Sequence, residues 1–88
     1  MTPVLVVGLL PGQADRVRRA VGKRFRLRFV QSEKARHIRV TQAINIVMTE
    51  YIDHSVGERL QKLLREGQTL IRLRGLERSV ITQLENMQ

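Results

Sequence analysis

The chain has 88 residues, with 16 Lys or Arg against 8 Asp or Glu, a net charge of +8, a pI near 11.5, 42% apolar residues and no cysteine. That length fits a single domain, 1–88, with a thin core, because a chain of this size buries only about 60 to 65% of the surface it exposes when unfolded. The missing cysteine excludes disulfides, thiolate metal sites and thiol nucleophiles, and the longest apolar run, VLVVGLLP at 4–11, falls far short of the about 20 residues that cross a bilayer, so the expectation is a cytoplasmic protein with no membrane partner.

PVLVVGL at 3–9 is a short, continuously apolar and β-branched run bounded by Gly and Pro, the pattern of a strand covered on both faces. PGQADRVRRAVGK at 11–23 then reads as a helix: Ala14, Val17, Ala20 and Val21 repeat at three-and-four spacing, Pro11 suits the first turn and Gly22 the exit. Arg16, Arg19 and Lys23 stand at i, i+3 and i+7, which predicts one outward basic face. In KRFRLRFV at 23–30, Arg24, Arg26 and Arg28 alternate with Phe25, Leu27 and Phe29, the signature of a half-buried strand at the edge of a sheet. Residues 32–42 read either as a short helix capped by Ser32 or as a loop.

INIVMT at 44–49 is a second central strand. SVGERLQKLLREG at 55–67 is the clearest helix: Ser55 and Glu58 form a capping-box pattern, Val56, Leu60, Leu63 and Leu64 make the buried stripe, and Gly67 stops it. TLIRLRG at 69–75 is a fourth strand, and LERSVITQLENM at 76–87 a closing helix with Leu76, Val80, Leu84 and Met87 on one side. Strands alternating with helices predict an α/β fold, a parallel sheet with right-handed crossovers. Placing the two doubly covered strands in the middle gives order 2-1-3-4, a small three-layer sandwich whose strand order reverses between the first and third strands. Residues 8–12 and 49–55 would line the crevice at that reversal.

Two motifs border the crevice. GLLPG, Gly8 to Gly12, follows a strand and opens a helix, so its amides could hold a phosphate, although it has neither the glycine spacing of a dinucleotide fingerprint nor the Lys-Ser/Thr of a P-loop. TEYIDHS at 49–55 gathers reactive side chains beyond a central strand. Asp53, His54 and Ser55 are consecutive and do not make a facing triad, and Glu50, Asp53 and His54 lack a second group of ligands; no catalytic residue, metal or cofactor is expected, and Ser55 reads as a helix cap.

INIVMTEYIDHS, the amphipathic helix after it, TLIRLRG and the final helix resemble a small Rossmann-like family catalogued as domain of unknown function 2325. The likeness spans roughly 4–84 and implies a Rossmann-like sandwich with Thr49, Tyr51, His54, Arg74 and Gly75 as pocket residues. The chain departs from that pattern after the first strand, where GLLPG replaces a Gly-Gly turn, and after the second, where VQSEK replaces a His-containing loop. No settled activity comes with the family.

Charge is the other signal. Residues 16–39 hold ten basic residues, Arg16, Arg18, Arg19, Lys23, Arg24, Arg26, Arg28, Lys34, Arg36 and Arg39, against Glu33, a net +9, while the rest of the chain has six basic and seven acidic groups, a net −1. One basic region on an otherwise neutral domain predicts a partner of dense negative charge. The expected function is non-enzymatic binding of nucleic acid, through Arg16, Arg19, Lys23, Arg24, Arg26, Arg28, Lys34, Arg36 and Arg39. Phe25, Phe29 and Tyr51 are the only aromatics, which favours the backbone of duplex DNA over stacked single strands. The thin core favours a homo-oligomer. Two other readings stand beside this one: a small-ligand or nucleotide-sensing domain using Gly8, Gly12, Thr49, Tyr51, His54 and Arg74, and an adaptor for an acidic protein. Arginines on an edge strand would also discourage pairing with other chains, or, if that edge pairs with a second copy, give a dimer with a doubled basic surface.

Overall fold

In the computed structural model, which describes residues 2–31, 34, 45–49 and 54–87, the β-branched runs lie at the middle of one sheet. Strands β1 (Thr2–Val7), β2 (Phe25–Val30), β3 (Asn45–Met48) and β4 (Thr69–Arg72) are all parallel, in the order β2-β1-β3-β4 that the sequence predicts. Val4, Leu5, Val6 and Val7 of β1 and Ile46 and Val47 of β3 are at most 2% exposed, so both faces of the central strands are covered, as a continuous apolar run requires.

Helix α1 (Pro11–Val21) and helix α3 (Glu77–Asn86) cover one face, where Val17, Val21, Val80 and Leu84 join Val4, Val6, Phe25 and Val47 in a single cluster. Helix α2 (His54–Leu63) covers the other with Val56 and Leu60 against Leu5, Val7, Ile46 and Met48. Burying one such Leu or Val side chain contributes about 1.5 to 3 kcal/mol, so each helix is held chiefly by its two or three inward residues. The steps from β1 to β2 and from β3 to β4 run in opposite directions across the sheet. Because α1 and α2 lie on opposite faces, the two crossovers share one hand. The result is a three-layer α/β sandwich of small Rossmann-like form.

The helix ends follow local chemistry. Pro11 opens α1, and the side chain of Gln13 turns back to accept the Leu10 N–H at 2.9 Å. Gly22, at φ 63°, lets the chain leave α1 in a conformation that other residues rarely adopt. α2 differs from expectation at both ends. It begins at His54, which puts Ser55 inside the first turn rather than at the cap, and it ends at Leu63 rather than near Gly67. The Arg65 N–H, which would continue the helix, is instead bonded to the Gln68 side chain at 2.7 Å, while the Gln68 N–H returns to the Arg65 carbonyl at 3.0 Å. Gly67 then sits in that turn at φ 86°.

Candidate nucleic-acid interface

The expected basic strand is an edge strand, paired on one side with β1 and with no other strand among the described residues. Its alternation divides it: Phe25, Leu27 and Phe29 face α1 and α3, while Arg26 and Arg28 project from the opposite face and are exposed. On that face α2 packs over β1 and β3 with Leu70 of β4 and Val30 at the end of β2, while Arg26 and Arg28 remain exposed. Side chains two apart on a strand repeat at about 6.6 Å.

The remaining basic residues do not form one continuous comb. Arg24, expected on the strand, lies in a single 3-10 turn, Gly22–Arg24. Its Nε donates to the Val21 carbonyl at 2.8 Å and one terminal nitrogen to the Ala20 carbonyl at 3.5 Å, so it caps the open carbonyls at the end of α1. Lys23 shares that turn and is exposed, off the α1 face on which helical spacing put it. Arg16 leans toward α3, where Nε and a terminal nitrogen engage both carboxylate oxygens of Glu77, the second at 2.9 Å. That hydrogen bond holds Glu77 below the usual carboxylate range and raises Arg16. Arg19 points outward from α1, between Arg16 and Arg18. The face predicted for Arg16, Arg19 and Lys23 is therefore split: Arg16 is turned to α3 and Lys23 to the turn that feeds β2.

Arg18, which is not part of the face that helical spacing predicts, packs against β2. Its guanidinium carbon stands 4.8 Å from the centre of the Phe29 ring, so α1 contributes a cation beside the C-terminal end of β2, on the sheet face opposite Arg26 and Arg28. Beside it lies a groove of about 220 Å³, bordered by Leu9, Pro11, Asp15, Phe29 and Gln31. Lys34 follows in a turn, its N–H on the Gln31 carbonyl at 3.0 Å, with an exposed side chain. Arg36 and Arg39 lie outside the described residues.

At the reversal of strand order, two predicted pocket residues do meet. Thr49 is 2% exposed and its hydroxyl donates to the Gly8 carbonyl at 3.1 Å, while the Thr49 N–H reaches the Val7 carbonyl at 3.0 Å and the Gly8 N–H the Val30 carbonyl at 2.9 Å. These bonds tie the ends of β1, β2 and β3 together. Gly12 lies within the first turn of α1 with ordinary space for a Cβ, and of the amides preceding it the Leu10 N–H is taken and Pro11 has none. A cradle of free amides for phosphate is correspondingly reduced. Arg74 is exposed, and its carbonyl accepts the Ser79 hydroxyl at 3.2 Å; Gly75 beside it, at φ 133°, presses against Ser79 so closely that a Cβ would lie 2.3 Å from Oγ. Gly75 is explained by that turn alone. Tyr51 and the side chain of His54 lie outside the described residues. Among the described residues no three His, Asp or Glu side chains converge as a metal site needs, and no helix is long and apolar enough to cross a membrane.

No protein-family model, curated protein or solved structure matches the chain.

Proposed function

We propose that this chain is a non-enzymatic module that binds nucleic acid through the phosphate backbone along the β2 edge, with Arg26 and Arg28 at the centre and Lys23, Arg18 and Lys34 at the flanks. The observation that carries this reading is the exposure of Arg26 and Arg28 on a strand whose outer edge has no partner strand among the described residues. The two side chains leave the same face of one strand about 6.6 Å apart, so both can reach phosphates of one backbone at once. Arg16, already paired with Glu77, and Arg24, engaged with the end of α1, contribute less. Duplex DNA is the favoured ligand. A homo-oligomer would use another surface, because two β2 edges brought together would set like charges opposite each other.

The test is retardation of a short duplex across a salt series. Each phosphate contact contributes about 0.9 to the slope of log K against log salt, so losing two should flatten it by about 1.8. Arg26→Glu with Arg28→Glu should therefore weaken binding strongly at low salt, whereas Arg59→Glu with Lys62→Glu, an equal charge change on the exposed side of α2, should weaken it far less. Equal losses from the two pairs would reduce the effect to net charge and remove the β2 edge as a site.

A further inference from the structure

The groove beside Arg18 differs chemically from the rest of this edge. Asp15 is the only acid among residues 1–32, and it borders the groove without an ion pair among the described residues. A carboxylate at that point disfavours a phosphate. It accepts well from the N–H donors that every nucleobase carries on its pairing edge, and the Gln31 side chain nearby can both donate and accept. One side of the Arg18 guanidinium is backed by the Phe29 ring at 4.8 Å, and Arg18 is exposed, which leaves a flat cationic surface toward solvent. Planar guanidinium groups are stacking surfaces for unpaired bases. The groove's volume of about 220 Å³ is below the roughly 300 to 1,000 Å³ of sites that bury drug-sized molecules, which fits one ring system and not a whole nucleotide.

We propose that this groove takes one unpaired nucleobase, stacked on Arg18 and hydrogen-bonded by Asp15 and Gln31, while Arg26 and Arg28 hold the adjoining backbone. The inference rests on the nucleic-acid reading above and narrows it: the preferred ligand is a duplex that carries an unpaired end. Phe29 and Arg28 are consecutive on β2 and so face opposite sides of the sheet, and because β2 is an edge strand a backbone held by the exposed arginines reaches the groove by passing around that edge.

Three ligands built on one duplex test this by fluorescence anisotropy at fixed salt: blunt-ended, with a three-nucleotide cytosine overhang, and with an overhang of the same length made of abasic residues, equal to it in charge. The cytosine overhang should bind at least about fivefold tighter than the abasic one, the size of effect that a stacked base produces. Arg18→Lys keeps the charge and loses the plane, so it should abolish that difference between the two overhangs. Equal affinity for the two overhangs overturns the base site while leaving backbone binding intact. A full difference retained in Arg18→Lys overturns the stacking assignment. Failure of all three ligands, the blunt duplex included, overturns the nucleic-acid reading itself.

Discussion

Replacing Thr49 by Val separates a structural role from a ligand-binding one at the crevice. Valine preserves the shape of the side chain and deletes one donor, the hydroxyl that reaches the Gly8 carbonyl at 3.1 Å in a site 2% exposed. A typical hydrogen bond contributes about 0.5 to 1.5 kcal/mol net, and a buried acceptor left without its partner costs about 1 to 3 kcal/mol. Thr to Val is consequently not a neutral swap in this position, and the expected loss is about 1 to 2 kcal/mol. For a domain of this size each kcal/mol moves Tm by about 4 to 8 °C, so thermal unfolding followed by circular dichroism should show a fall of about 4 to 15 °C. Binding of blunt duplex DNA below the transition should not change, since Thr49 is buried beyond the end of β3 and Arg26 and Arg28 project from β2. A Tm within 1 to 2 °C of the parent would refute the claim that this bond holds the loops after β1 and β3 together.

Two further perturbations test the other contacts that position the site. Gly75→Ala combines an unfavourable backbone conformation, φ 133°, with a contact of 2.3 Å to Ser79 Oγ, and should lower Tm by about 5 to 15 °C; adding Ser79→Ala should recover part of the loss, and recovery of none would show that the contact is not the cause. Glu77→Gln removes the carboxylate that Arg16 holds below its ordinary value near 4.5. The depressed carboxylate stabilises the fold above that ordinary value and loses its contribution as pH falls through the depressed folded one, so parent and variant should differ in Tm at neutral pH and converge in acid. The pair is exposed, so the difference should also shrink with added salt; a difference that persists at pH 2 would contradict this.

The sheet order was legible because burial leaves different marks on central and edge strands. Val4 to Val7 and Ile46 to Met48 carry no polar side chain on either face, whereas Phe25 to Val30 alternates, and that contrast puts β1 and β3 inside the sheet and β2 at an edge. The candidate site was legible only in part. Arg24 continues the alternation of β2 in sequence, but periodicity does not record where a 3-10 turn gives way to a strand, and the residue turns back to α1. Arg16 and Glu77 are 61 positions apart and meet only because α1 and α3 pack on the same face. Arg18 depends on the same kind of placement: its distance from Phe29 follows from how α1 lies against β2, and spacing within the helix offered Arg16 and Arg19 equally well. The early end of α2 had a local signal, Gln68 three residues beyond Arg65, which the stronger glycine signal at Gly67 obscured.

The most direct measurement of the central claim is an NMR titration of the isotopically labelled protein with a short duplex, observing backbone amides together with arginine Nε–H groups. The account predicts shifts concentrated at residues 25–31 and at the side chains of Arg18, Arg26 and Arg28, with Arg72, Arg74 and Arg78 nearly still. Shifts centred on 69–78 instead, or none at any residue in low salt, would contradict it.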